Sequence, residues 1–206
     1  MRQMIFRIID TMPDAEVLDY DNVSKQEYFK SVSINDLISK LEDYIESDNT
    51  RRNIMMFDDS VIGAGRNHIL IKQDEHKRIV TYLNKAYNIT FPNSLYIMHV
   101  VEKKIKDIEA YIYKQYDGKQ TKLYKYAMPN MLTSNRICMG SAPKEVENDE
   151  YVKALEKIIF TQYTHSHVDN IKSFKNTVNY FEYLEKNKFP YDLLIPLNKK
   201  LKDVLK

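Results

Sequence analysis

The chain has one cysteine, Cys138, no tryptophan, four glycines and six prolines in 206 residues. A single cysteine excludes an intramolecular disulfide and excludes a thiolate-rich metal cluster built within one chain. There is no low-complexity tract and no convincing internal repeat. No segment approaches the roughly 20 apolar residues of a membrane-spanning helix. Met1 to Asp10 carry an apolar run without a small-residue cleavage site, so a secretory leader is not expected and the expected location is the cytoplasm, with no membrane partner. Excess charge of one sign is also lacking. Lys and Arg number 31 against 29 Asp and Glu, a formal net charge of +2, and the signs are interleaved. That balance gives no global reason to invoke nucleic acid, although it leaves a local basic face open. What is present is an ordinary globular composition, 43% hydrophobic and 29% charged, in a chain long enough to bury a core.

Periodicity divides the chain into residues 1–53, an N-terminal strand and helix elaboration, 54–170, a sheet-rich core, and 171–206, a C-terminal helical extension, together expected to form one unit. Met4 to Ile9 reads as a short strand, and the polar stretch Pro13 to Gln26 as loop or edge structure. From Ser33, a plausible N-cap, the apolar residues Ile34, Leu37, Ile38, Leu41 and Ile45 recur at helical spacing and predict a core-facing stripe. Short strands are expected at Ile54 to Phe57, His68 to Lys72 and Ile79 to Leu83. Gly63-Ala64-Gly65 lacks the Lys-Ser/Thr of a phosphate loop and reads as a turn. Leu95 to Val101, Ile105 to Tyr113 and Thr121 to Tyr126 predict an antiparallel meander, with Asp117-Gly118 turning the last pair and Ile108, Ala110 and Ile112 sharing a face. Beyond Pro143, Val152, Leu155, Ile158 and Ile159 fit one helical face, and Ile171, Phe174, Val178 and Phe181 another. Leu197, Leu201 and Val204 suggest a last helical turn or two.

The meander leads into the segment from Tyr124 to Gly140, where Met128-Pro129-Asn130 is followed, eight positions beyond the Asn, by Cys138 preceded by Ile137. This order and spacing resemble the active-site stretch of the ubiquitin-conjugating (UBC) superfamily, in which His-Pro-Asn precedes a polar turn and then the catalytic cysteine. More narrowly, Tyr124 followed by Pro129-Asn130 and then Ile137-Cys138-x-Gly140, together with the later Ile159 to His165 segment, is similar to the protein B family of PRTRC plasmid-associated systems, a prokaryotic branch of that superfamily. The resemblance covers about residues 90 to 170. Met128 stands where the family has His, and Asn135 where its turn glycine is usual; Asn is the non-glycine residue that best tolerates a left-handed backbone.

The resemblance implies an α+β fold, a UBC-like antiparallel meander sheet with flanking helices and a C-terminal helical extension. It implies that Cys138 carries a ubiquitin-like protein as a thioester, received from an adenylating enzyme and passed to an amine, with no cofactor of its own. A lone cysteine is otherwise a small buried residue. Asn130 either orients the loop and donates to a developing oxyanion, or is a turn residue serving local backbone groups. Gly140 either admits the extended tail of the substrate or simply turns the chain; Pro129 and Asn135 complete the expected substrate-binding loop. His165 either lies near Cys138 and relays a proton, or is a structural histidine. With His167 it offers only three candidate metal ligands, so no metal is expected. Two other readings stay open: a non-catalytic UBC-like scaffold, motivated by Met128, and a nucleic-acid module, motivated by Tyr111, Tyr113, Tyr116, Tyr124 and Tyr126 near Lys106, Lys114, Lys119, Lys122 and Lys125. Strand propensity accounts more simply for that Tyr/Lys pattern, as an exposed sheet face with cross-strand rings.

Overall fold

Ser33 closes one element and starts the next. In the computed structural model, which describes residues 2–8, 13–21, 25–48, 57–160 and 162–205, strands Arg2–Arg7 (β1), Asp14–Asp21 (β2) and Gln26–Ser33 (β3) form an antiparallel meander, and helix Ile34–Asp48 (α1) follows β3 directly. The Ser33 hydroxyl accepts from the Asp36 amide at 3.1 Å, satisfying one of the free amides of the first turn. The stretch expected as loop is β2, the middle strand of this sheet. Its alternation of buried Ala15 and Val17 with Asp14 and Glu16 is masked in sequence because alanine is small and the intervening residues are acidic. Of the expected core-facing stripe, Leu37 is buried and Ile34 half-buried, whereas Ile38 and Leu41 are 49% and 44% exposed; the side chain of Ile45 lies outside those described. These elements belong to the first of two compact units, residues 1–54; the second is 55–206.

The second unit is built on a six-stranded antiparallel sheet. In chain order its strands are Val61–Ala64 (β4), His68–Gln73 (β5), Ser94–Val101 (β8), Lys104–Ile112 (β9), Lys122–Lys125 (β10) and Pro196–Lys200 (β11), in spatial order β11-β10-β9-β8-β5-β4. Between β5 and β8 the chain makes a separate two-stranded hairpin, His76–Tyr82 (β6) and Lys85–Phe91 (β7), turned at Leu83 and Asn84, both with positive φ. Gly63 and Ala64 belong to β4 rather than to a turn, with an irregularity in the pairing against β5 between Val61 and Gly63. Of the expected strand at Ile54 to Phe57, residues 54–56 lie outside the described residues, and Phe57 is not in a strand.

Strand β8 is central and buried on both faces. On one face Tyr96, Met98, Ile108, Ala110 and Ile112 pack with Leu155, Ile158 and Ile159 of helix Tyr151–Ile159 (α2) and with Tyr180, Phe181 and Leu184 of helix Thr177–Lys186 (α3). On the other, Leu95, Ile97, Tyr111, Tyr113 and Leu123 pack with Leu201 of the one-turn helix Leu201–Val204 (α4). The shared face expected for Ile108, Ala110 and Ile112 is therefore present, and all three are fully buried. The tyrosines of this region are not an exposed sheet face. Tyr111, Tyr113 and Tyr126 are buried, and the Tyr126 and Tyr96 hydroxyls meet at 2.9 Å in the core.

The region 171–206 is only partly helical. Helix α3 starts at Thr177 because the Asn176 side chain caps it, its Oδ1 accepting from the Val178 amide at 2.9 Å and the Asn179 amide at 3.3 Å. Ile171 and Phe174 thus precede the helix, and Ile171 bridges to Leu194 instead. The residues around Leu197 form β11, paired to β10 through Lys122 with Lys200 and Leu123 with Lys199. The open side of β10 offers backbone partners there, so Leu197 joins a strand, while Leu201 and Val204 form the expected last helical turn as α4.

Candidate functional site around Cys138

Past β10 the chain runs inward. Tyr126, Ala127, Met128, Pro129 and Asn130 are all buried, and Met128 packs into the main core. At Asn130 the backbone turns left-handed, φ +61, and emerges as a tongue, residues 131–137. Two backbone hydrogen bonds zip its limbs, from the Cys138 amide to the Asn130 carbonyl and from the Leu132 amide to the Arg136 carbonyl, each at 2.7 Å. Thr133–Asn135 make a 3-10 turn at the tip, where Ser134 and Asn135 have φ of +66 and +60. The turn thus uses the left-handed conformation that an asparagine at 135 tolerates. The return limb lies against β9, which β10 has left: the Ile137 amide donates to the Ile108 carbonyl at 2.9 Å, and Arg136 bridges Glu109.

Cys138 follows buried Ile137 and is itself half-buried. Met139 and Gly140 then turn the chain, with φ +49 at Gly140 and the Ala142 amide donating to the Met139 carbonyl at 3.0 Å. A Cβ at Gly140 would meet nothing within 4 Å, so the backbone conformation, not lack of space, calls for glycine there.

Asn130 is the junction. It is 7% exposed, and its Oδ1 accepts from the amides of both Thr164 and His165 at 3.0 Å. One residue therefore holds the cysteine strand through its main chain and the 164–165 strand through its side chain. Its acceptor is spent on backbone groups, which is the bracing role; Nδ2 is the donor left for other work. The far strand is tied down in turn: the Thr177 hydroxyl donates to the His165 carbonyl at 2.7 Å, and the Thr177 amide to the Ser166 carbonyl at 3.0 Å. Thr177 is fully buried and was not singled out from sequence. Its only signal there is its place directly after the capping Asn176.

A cleft of about 800 Å³ opens beside the tongue, lined among others by Pro129, Leu132, Asn135, His165 and His167. Cys138, Asn130 and Gly140 are not part of that lining. The expected site residues thus fall into two groups, Pro129, Asn135 and His165 on the cleft and Cys138 with Gly140 outside it, joined through Asn130. No side-chain hydrogen bond connects His165 to Cys138 among the described residues. His167 Nδ1 lies 2.8 Å from the Ser166 hydroxyl, and among the described residues no three His, Cys, Asp or Glu side chains gather as metal ligands would. No described helix is long and apolar enough to cross a membrane. Comparison with protein-family models, with curated proteins and with solved structures finds nothing that matches this chain.

Proposed function

We propose that the second unit is a UBC-like carrier in which Cys138 accepts a ubiquitin-like protein from an adenylating enzyme and hands it to an amine. The observation that carries this reading is the Asn130 junction: the Pro-Asn to Cys spacing, read first as a motif, closes in space into a hydrogen-bonded tongue that presents a half-buried cysteine beside a sharp glycine turn. The antiparallel meander leading into it and the helices after it agree with that fold.

Two acyl transfers make up the reaction. The Cys138 thiolate attacks the carbonyl of the thioester on the adenylating enzyme; a new S–C bond forms, the old one breaks, and that enzyme's thiolate leaves. The acceptor amine then attacks the Cys138 thioester; an amide bond forms, the amine's proton is lost to solvent or a base, and the Cys138 thiolate departs. ATP is consumed upstream, by the adenylating enzyme. Asn130 keeps Cys138 in register throughout, and its Nδ2 is the donor available to the oxyanion of the second step.

A second reading, a scaffold that binds the ubiquitin-like partner without carrying it, draws on buried Met128 and on the absence of Cys138 from the cleft. One experiment separates them. The protein is mixed with a ubiquitin-like protein, its adenylating enzyme and ATP, and resolved by non-reducing gel and intact mass. A thiol-sensitive adduct lost in Cys138→Ala supports the carrier. Co-elution without an adduct, when the adenylating enzyme is itself charged, supports the scaffold, and unchanged transfer by Cys138→Ala sinks the carrier outright.

A further inference from the structure

Overall charge is nearly balanced, yet the topology gathers one sign at the outer edge of the six-stranded sheet. Lys122 on β10 stands directly opposite Lys200 on β11, and Leu123 opposite Lys199. Where the chain turns into α4, the Lys202 amide donates to the Lys119 carbonyl at 3.0 Å, which brings residues 119 and 202 together. Lys119, Lys122, Lys199, Lys200 and Lys202 therefore share one corner of the molecule, although eighty positions separate the two segments that supply them. All but half-buried Lys200 are exposed.

None of the five takes part in an ion pair among the described residues. Lys200 Nζ instead donates to a neutral group, Gln120 Oε1, at 2.8 Å. The same segments carry the carboxylates of Asp117 and Asp203, and Asp203 accepts from the Lys200 amide at 2.8 Å as the cap of α4. Like charges placed opposite each other on a ladder are destabilising. A local rule broken in this way, without a compensating contact inside the fold, points to a use outside it.

The chemistry of the edge selects the partner. Its cations are all ammonium, with no arginine fork to match a planar carboxylate in bidentate fashion. Leu123 and Leu201 of this corner are buried and Leu205 is 42% exposed, so ammonium groups, not a broad apolar centre, dominate what it presents. Point charges spread along a strand edge suit phosphates spread along a backbone.

We propose that the β10–β11 edge binds the phosphate backbone of a nucleic acid without reading its bases. This is independent of the thioester chemistry at Cys138 and takes up the local basic face that the sequence left open, on lysines of the sheet edge and without the tyrosines. The test is an anisotropy titration of the full chain with a labelled DNA duplex of arbitrary sequence, at several salt concentrations. Neutralising about four phosphates predicts a slope of log K against log salt near −3.6, so affinity falls roughly 100-fold from 50 to 200 mM salt. The pair Lys122→Gln and Lys200→Gln is expected to reduce that slope by about 1.8 while leaving the thermal midpoint unchanged or higher, because a like-charge pair is relieved. Should that pair impair folding, Lys119→Gln with Lys202→Gln gives the same reduction from residues outside the ladder. Absence of salt-dependent binding, or an unchanged slope in both double variants, overturns the proposal. So does tighter binding of poly-glutamate than of the duplex at equal charge concentration and salt, which reassigns the edge to an acidic protein.

Discussion

Replacing Asn130 by alanine removes two things at once, and their sizes follow from the geometry. The amides of Thr164 and His165 each lose an acceptor at 3.0 Å, at about 1 kcal/mol apiece in a partly buried setting. A backbone at φ +61 then has to be held by a residue with a Cβ and no local polar compensation, a further cost of about 1 kcal/mol. Asn130→Ala is therefore expected to destabilise the unit by about 3 kcal/mol, a fall in melting temperature on the order of 6 to 12 °C for a domain of this size. Asn130→Gly loses the hydrogen bonds but not the backbone conformation and should cost about 2 kcal/mol, whereas Asn130→Asp keeps an acceptor for both amides and should stay within about 1 kcal/mol of the parent. Urea denaturation of the four proteins, read as midpoints at constant slope, measures all three. If alanine costs less than about 0.5 kcal/mol, or glycine is no better than alanine, the junction does not brace the tongue and the argument built on it fails.

Leu83 sits in a two-residue turn at φ +48 with its side chain exposed. Leu83→Asn should stabilise the β6–β7 hairpin by about 0.5 to 1 kcal/mol, and a lower urea midpoint would show instead that the leucine makes a contact that matters. Tyr180 is fully buried and its hydroxyl has no partner among the described residues; Tyr180→Phe should leave stability unchanged or raise it by about 1 kcal/mol, whereas Tyr126→Phe takes from the Tyr96 hydroxyl its 2.9 Å partner and should cost about that much. Burial pushes the Tyr96 hydroxyl up to about 12 and raises Tyr126, Tyr163 and Tyr180 as well. The unfolded chain ionises first, near pH 10, so stability holds below that pH and drains away as pH climbs toward the folded values. Circular dichroism should show a cooperative alkaline transition that begins above about pH 10 and is shallower in Tyr180→Phe; a flat profile to pH 12 contradicts the burial argument.

Legibility in the sequence followed the local strength of each signal. Ile108, Ala110 and Ile112 alternate cleanly and were found on one buried face; Ser33 announced its helix and caps it. Strand β7 was not anticipated because its hairpin turns on Leu83 and Asn84 instead of the usual Asn-Gly, so nothing punctuated the chain there. The last helical turn expected from Leu197, Leu201 and Val204 is present as α4 at Leu201–Val204, but Leu197 lies in β11, and the deciding fact, an open edge on β10, lies far away in sequence. At the site, the spacing from Pro129 and Asn130 to Cys138 was visible, and so was the aptness of Asn135 for a left-handed turn. The union of Asn130 with Thr164 and His165 was not, since backbone amides as partners leave no mark in side-chain pattern.

The late arrival of β11 affects how the protein is made. At a synthesis rate of about 5 to 20 residues per second, the roughly 70 residues between β10 and β11 keep the ribosome occupied for about 4 to 14 seconds. During that interval β10 has no outer neighbour yet made, its ladder is unsealed and Leu123 lacks the leucine at 201 that later covers it. Unsealed strand rims are where nascent chains stick to one another. The lysines at 119, 122 and 125, already translated, place mutually repelling charge along that rim until its permanent neighbour is delivered.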